Sequence, residues 1–222
     1  MSKIKILSSF FLAVSGGAIW SAPAWAVECP SVVPAIEITA EFKKAVPMIN
    51  NQISQGRLAS KSGRAGFHAK TLGLTESRLT VRILTSYSIR YSPQSRYACV
   101  TLETVHIEYG FGQTPVLIDR RYRPGSCEYG VIYNHESGHV RIMNNRGNRY
   151  QSWVKRQVAQ RVQTIRPVQT SRPKQAKEAM EKQIKAITER LAQQMNKSLA
   201  AAHAVIDTPE NYKRTQSQCQ NW

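Results

Sequence analysis

The first half of the chain contains a stretch in which apolar and polar residues alternate. Over residues 79–91, leucine, valine, isoleucine and tyrosine fall on one side, and arginine and serine fall mostly on the other. This alternation predicts a half-buried strand. Residues 97–109 and 116–122 are also strand-like, and turn residues separate the three segments. We therefore predict a meander of three antiparallel strands.

The periodicity changes near residue 128. Apolar residues then recur every three to four positions to residue 166, which predicts one long amphipathic helix with Gly147 as a candidate position for a bend. A proline-bracketed turn at 167–173 leads to a second helix that ends near 206, so that 128–206 forms a helical hairpin. Thr208 and Pro209 are typical of the start of a short C-terminal helix.

Weaker patterns lie upstream of the predicted sheet. Residues 36–42 predict an additional strand, and residues 43–58 predict a helix, although Pro47 lies within it.

The first 26 residues have the features of an export signal. Lys3 and Lys5 precede an apolar stretch that is too short to cross a bilayer, and Ala24 and Ala26 are the small residues that a signal peptidase requires. The next residue is Val27 and not the cysteine of a lipoprotein. We expect a mature chain of residues 27–222 that forms a single domain, has no transmembrane anchor and is periplasmic or secreted.

Four cysteines remain in that mature chain, and none forms a C-x-x-C pair. An even number in an exported protein favours two disulfide bonds over free thiols. Three pairings are possible. The one to test first joins Cys99 to Cys127, across a strand and the start of the next helix, and Cys29 to Cys219, near the two ends.

The chain is strongly basic, with 31 Lys and Arg residues against 14 Asp and Glu residues and a net charge of +17. This charge suits a polyanion, an anionic membrane surface or an acidic envelope polymer. The basic residues are spread along the chain without interleaved aromatic residues, so we do not predict dedicated nucleic-acid binding.

Residues 133–140 read YNHESGHV and contain the pattern H-E-x-x-H. Because residues four apart share one face of a helix, His135 and His139 can bind one zinc ion, and Glu136 can accept a proton from the water that zinc activates. The alternative is that two histidines merely fall one turn apart on an ordinary helix. Asn134, Ser137 and Gly138 are poor helix formers, which favours a site.

A catalytic zinc site usually has a third protein ligand. Asn145 occupies the place of the third histidine in the extended metzincin pattern, which argues against that class. If the hairpin is antiparallel about Gln169, the level of the motif corresponds to position 202, and His203 becomes the candidate ligand. Asp207, one turn further along, is the alternative, either as the ligand or as an acceptor for a ligand's other N–H.

Other candidate residues follow from the same arrangement. Glu210 is a weaker third ligand, and Tyr212 is a possible oxyanion stabiliser because a tyrosine hydroxyl can donate a hydrogen bond there. His106, on the central predicted strand, is interpreted as a solvated position. His68 lies in a glycine-rich region and supports no argument.

Two segments together resemble a known family. The strand sequence YACVTLETVHIEY and the helix sequence HESGHVRI, within residues 75–166, are similar to a family of secreted bacterial zinc-dependent proteases that is catalogued as a domain of unknown function. The resemblance implies a zincin-like peptidase with His135 and His139 as zinc ligands and Glu136 as the catalytic acid. No family motif matches the C-terminal third.

The sequence thus predicts an α+β fold in which a small antiparallel sheet packs on the long helix that carries the motif, followed by a second long antiparallel helix. The predicted function is an exported zinc metallopeptidase that acts on a peptide or protein substrate. The alternative is a non-catalytic basic envelope protein that binds an anionic polymer and has a structural metal or none.

Overall fold

The computed structural model describes residues 29–62, 71–93 and 95–222. The predicted export signal and His68 therefore lie outside the described residues. The described elements, in chain order, are β1 (Glu37–Lys43), β2 (Val46–Ile53), α1 (Gln55–Lys61), β3 (Gly73–Thr75), β4 (Thr80–Tyr91), β5 (Ala98–Gly110), β6 (Gln113–Asp119), α2 (Cys127–Val162), β7 (Val168–Thr170), α3 (Pro173–Ile206) and α4 (Pro209–Gln216). The predicted α+β class is confirmed.

The strands form two small mixed sheets. In the first, the order is β1-β5-β4, and β7 also pairs with β5; in the second, the order is β2-β6-β3. Strands β4 and β5 are antiparallel, as predicted. The predicted meander is wrong in its third strand, because β6 leaves β5 and pairs with β2 and β3. The predicted purely antiparallel sheet is also wrong, since β1 runs parallel to β5 and β2 runs parallel to β6.

The chain passes from the first sheet to the second at two neighbouring places, between β1 and β2 and between β5 and β6. The Phe111 N–H donates to the Lys43 carbonyl at 3.1 Å, and the Val46 N–H donates to the Gly112 carbonyl at 2.7 Å. Gly110 has φ 151°, and a Cβ atom there would lie 2.0 Å from the Lys43 carbonyl oxygen. Glycine is therefore required for this close approach, and the turn at Gly110 redirects β6 instead of folding it back on β5.

The region 43–58 forms strand β2 and the start of α1, so the predicted helix there is wrong. At the crossing point, the side chain of Asn144 on α2 bonds to both backbone groups of Ala45: its oxygen accepts from the N–H at 2.8 Å, and its nitrogen donates to the carbonyl at 3.1 Å. Strand β2 is extended because it pairs with β6 and because Asn144 holds the backbone of Ala45 just before it. Both interactions involve residues far away in the chain, so the local sequence does not indicate them.

Helices α2 and α3 pack side by side on one face of the first sheet. The core between them and the sheet contains mainly valine, isoleucine, leucine and methionine from α2, α3 and β5: Val100, Leu102, Val105, Ile107, Val154, Val158, Val162, Met180, Ile184, Leu191 and Met195. The first half of α2 instead packs against β3 and β6 of the second sheet. That half carries the H-E-x-x-H motif.

Helix α2 begins at a capped end and continues through its glycines. The Ser126 side chain accepts a hydrogen bond from the Tyr129 N–H, which caps the helix. The helix is uninterrupted at Gly147, where the Phe42 ring packs so closely that a Cβ atom would lie 2.1 Å from it. Gly147 thus makes room for the neighbouring strand β1.

All four cysteines are paired, which confirms two disulfide bonds, but the pairing to be tested first is wrong. The bonds join Cys29 to Cys99 and Cys127 to Cys219. Cys99 lies beside β7 at the hairpin turn, whereas Cys127 begins α2 at the opposite end, about 50 Å away along the helix. Disulfides are typical of chains in oxidising compartments. In the described ranges, no helix combines the length and apolarity needed to span a bilayer.

Candidate metal centre

Helix α2 presents His135 and His139 to the end of α3. The Nε2 atom of each ring lies 3.2 Å from the same oxygen, Oδ1 of Asp207. One potential ligand atom from each of these three residues falls within 4.8 Å of the others. The three side chains are partly to largely buried, with 10%, 12% and 24% of their surface exposed. Three donors of the types that zinc prefers therefore converge at one point.

Asp207 stands at the junction between two helices. It is the C-cap residue of α3, and Thr208 begins α4 by accepting a hydrogen bond from the Asn211 N–H. The Tyr212 hydroxyl donates to Oδ1 of Asp207 at 2.8 Å. Burial alone would raise the pKa of Asp207, but hydrogen bonds to His135, His139 and Tyr212 outweigh it and hold the pKa well below its usual range. The carboxylate is thus kept ionised.

His203 lies one turn before Asp207 and contacts the other side of His139. The two Nδ1 atoms are 2.9 Å apart. The Nε2 atom of His203 is buried and has no hydrogen-bond partner among the described residues. Burial and the neighbouring charge of His139 lower the pKa of His203. His203 is therefore close to the level at which the hairpin argument places it, but the convergent donor group contains Asp207 in its place.

Glu136 points from the same helix toward the second sheet. It is only 5% exposed, and the Thr75 hydroxyl on β3 lies 2.7 Å from its Oε2 atom and 3.1 Å from its carbonyl oxygen. A Cβ atom on Gly73 would lie 2.6 Å from the Glu136 Oε1 atom. Burial raises the pKa of Glu136, opposed by the hydrogen bond from Thr75 and by the charges of His139 and His135. A glutamate with a raised pKa suits proton transfer near neutral pH.

The glycine inside the motif has a packing role. A Cβ atom on Gly138 would lie 3.3 Å from the Cδ1 atom of Ile206. Gly138 therefore allows the last turn of α3 to approach α2 closely, which brings Asp207 to the two histidines.

A cavity of about 630 Å³ opens beside these residues. Its walls come from the β3 region, from α2, and from the end of α3 with the segment that follows it. They include Thr71, Leu72, Gly73, Leu74, Thr75, Ile132, His135, Glu136, His139, His203, Asp207, Tyr212, Thr215, Gln216 and Trp222. The Cys127–Cys219 bond ties that last segment to the start of α2, and the Asn221 N–H donates to Glu128 at 3.3 Å.

The remaining candidates lie elsewhere. Glu210 is exposed and lies outside the convergent donor group. His106 is on the face of the first sheet away from the helices, with Thr39 Oγ1 at 2.6 Å from its Nδ1 atom and with Glu41 and Glu108 nearby. Those two glutamates also pair with basic side chains, Lys43 and Arg82.

Sequence reasoning did not find Thr75 or Gly73. The only local signal is the short run Leu72-Gly73-Leu74-Thr75, and a strand of three residues is too short to show an alternating pattern. The contact with Glu136 joins residues 61 positions apart.

Comparisons with protein-family models, with curated proteins and with solved structures find no match to this chain.

Proposed function

We propose that the chain is an exported, zincin-like, zinc-dependent metallopeptidase. The observation that supports this most strongly is the convergence of His135, His139 and Asp207 beside a buried glutamate, at the wall of a cavity that can hold a substrate. The two disulfide bonds support the exported location, in the periplasm or outside the cell.

The donor set fits zinc. Two imidazole nitrogens and one carboxylate oxygen form a three-residue ligand set typical of catalytic zinc sites, which leave a further position open. Both histidines approach the same Asp207 oxygen, so a cation among the three would meet each donor without a large movement of the helices. Held there, zinc would act as a Lewis acid that activates water and polarises a carbonyl group.

Glu136 is the proposed proton carrier. Its carboxylate lies on the next residue after a ligand and faces the same cavity. It would accept a proton from the attacking water and return it to the leaving amine. The hydrogen bond from Thr75 holds one carboxylate oxygen, Oε2, and in this proposal Oε1 would be the oxygen that carries the proton.

The other polar residues have positioning roles in this proposal. Tyr212 donates to Asp207, so in this arrangement its hydroxyl holds the third ligand, and stabilising an oxyanion would require it to leave that bond. The Nδ1 atoms of His139 and His203 are 2.9 Å apart, so a proton on Nδ1 of His139 would be held by His203 and Nε2 of His139 would be the atom that meets the metal. His203 remains the alternative third ligand.

The cavity also suggests how a peptide would bind. Strand β3 is an edge strand of the second sheet, and residues 71–75 line the cavity next to Glu136. An extended peptide could pair with such an edge through its backbone. This mode requires little side-chain specificity, in keeping with a peptide or protein substrate.

The test combines metal analysis with one substitution. Purified mature protein should contain about one zinc ion per chain and should hydrolyse casein. The Glu136→Gln variant should retain zinc but lose at least about 100-fold in hydrolysis rate, because it removes the proton carrier and keeps the ligands.

Two controls make the result decisive. Chelation should abolish hydrolysis, and added zinc should restore it in the parent but not in Glu136→Gln. Absence of zinc from the parent protein, or equal hydrolysis by parent and variant, would contradict the proposal. Zinc retention without any hydrolysis would favour the non-catalytic envelope protein.

A further inference from the structure

We infer that the exposed face of α2 is a binding surface for a linear polymer of phosphate groups. The surface is defined by Arg141, Arg149, Lys155 and Arg156, and we call it the basic strip. All four side chains are exposed. The inference is independent of the proposed peptidase activity.

The basic strip follows from the helix period. At 100° per residue, its four positions fall within about 120° of one another around the helix, on the side opposite the core residues Val154 and Val158. The strip is about 23 Å long at 1.5 Å per residue. Between the charges lie exposed neutral residues that can also donate to phosphate oxygens: Asn145, Asn148 and Ser152.

The charge of the strip is not balanced locally. No acidic residue occurs between Glu136 and Glu178. In the described part of the chain, none of the four side chains forms an ion pair with an acidic group. A row of like charges costs free energy through self-repulsion, and a bound polyanion would relieve it.

Helix α3 provides a contrast within the same hairpin. Its exposed surface mixes basic residues with Glu178, Glu181 and Glu189, and Lys185 lies 3.9 Å from Glu189. The two helices carry the same number of Lys and Arg residues and differ in where their acidic residues lie. On α3 the glutamates are interspersed among the basic residues, whereas on α2 no acidic residue lies beyond Glu136.

The chemistry of the strip favours a phosphate polymer. Three of its four charges are guanidinium groups, which bind phosphate through two parallel hydrogen bonds. No exposed aromatic side chain lies on it for stacking against nucleic-acid bases, and no exposed large apolar side chain lies on it for insertion into a lipid bilayer.

The probe is inorganic polyphosphate, titrated into the mature protein at several salt concentrations. We compare two triple variants that remove the same charge: Arg149, Lys155 and Arg156 to Gln on α2, and Lys182, Lys185 and Arg190 to Gln on α3. The α2 variant should bind at least about tenfold more weakly, and the slope of log affinity against log salt should fall by about one for each phosphate that is no longer neutralised. The α3 variant should keep most of its affinity and slope.

Three results would overturn the inference. Equal losses in both variants would mean that binding follows net charge alone. Tighter binding to single-stranded DNA than to polyphosphate at equal phosphate concentration would assign the strip to nucleic acid. Tighter binding to phosphatidylglycerol vesicles than to polyphosphate, again at equal phosphate concentration, would assign it to a membrane surface. Circular dichroism of both variants checks that the helices are retained.

Discussion

Asp207 and His203 contact opposite nitrogens of the His139 ring. Substituting each residue should distinguish a proposed zinc ligand, Asp207, from a residue that orients a ligand, His203. Asp207→Ala should weaken zinc affinity by more than roughly 100-fold, since it removes one of the three proposed ligands. His203→Ala should weaken it by about 10- to 100-fold, the usual effect of losing a residue that orients a ligand. Competition titration with a zinc chelator measures both.

Glu210→Ala is the matched control, because it removes a nearby acidic side chain that is exposed and outside the donor group. Its zinc affinity should equal that of the parent. If His203→Ala abolished zinc binding while Asp207→Ala left it intact, the third ligand would be His203.

Thr75 holds the proposed proton carrier, and its hydroxyl is the group to test. Thr75→Val keeps the shape of the side chain but removes the hydrogen bond to Glu136. We expect kcat to fall by about tenfold or more, because a misplaced general base loses efficiency, while zinc content stays unchanged. Thr75→Ser restores the hydroxyl and should recover most of the rate. Unchanged kcat in Thr75→Val would mean that the hydrogen bond has no role in catalysis.

At the scale of elements, two glycines of α2 have opposite surroundings. A Cβ atom on Gly147 would overlap the Phe42 ring at 2.1 Å, whereas one on Gly130 would meet nothing within 4 Å. Gly147→Ala should lower the free energy of unfolding by about 1–3 kcal/mol through overpacking. Gly130→Ala should raise it by up to about 1 kcal/mol, because alanine is the better helix former. Urea unfolding of both variants checks this, and equal effects would contradict the packing argument.

The backbone at Gly147 also contacts a buried tyrosine on β5, Tyr109. The Tyr109 hydroxyl donates to the Gly147 carbonyl at 2.8 Å, and burial raises the pKa of Tyr109 from 10.0 to about 12. Because folding favours the neutral form, the contribution of Tyr109 to stability is complete below pH 10 and is lost as the pH rises toward 12. Tyr109→Phe should be less stable at neutral pH by about 1 kcal/mol or more. The difference between parent and variant should shrink between pH 10 and 12, and a constant difference would contradict the assignment.

These elements show which parts of the fold local sequence can predict. Strands β4 and β5 and helices α2 and α3 are long and strongly periodic, and the predictions placed them correctly. The position of β6 was predicted but not its partners, because they are set by the crossing at Gly110 and by segments far away in the chain. Strand β2 was mistaken for a helix for the same reason.

The candidate site divides in the same way. His135, Glu136 and His139 are recognisable because their spacing lies within one helix. The symmetry of the helical hairpin indicates both His203 and Asp207 as candidates for the third ligand. The choice between them depends on how α3 ends. Asp207 is the C-cap residue of α3, whereas the symmetry argument assumes a straight helix at that position. Thr75 depends on a three-residue strand and could not be predicted from the sequence pattern.

At the scale of the whole molecule, the two disulfide bonds should have separable effects. Cys127–Cys219 joins the start of α2 to the segment that follows α4, next to the cavity, whereas Cys29–Cys99 lies near the hairpin turn at the far end of α2. Replacing either pair with serine should lower the free energy of unfolding by about 2–5 kcal/mol, since each closes a loop of many residues.

Of the two disulfide bonds, only Cys127–Cys219 holds a segment that positions a proposed ligand, Asp207. Without Cys127–Cys219, α4 loses its tether, so Tyr212 would hold Asp207 less firmly, and zinc affinity should fall together with stability. Without Cys29–Cys99, zinc affinity should remain at the parent value as long as the chain is folded. Zinc titrations at a temperature where both double variants give parent-like circular dichroism test this difference. Equal zinc affinities in the two variants would mean that α4 is held at the site by packing alone.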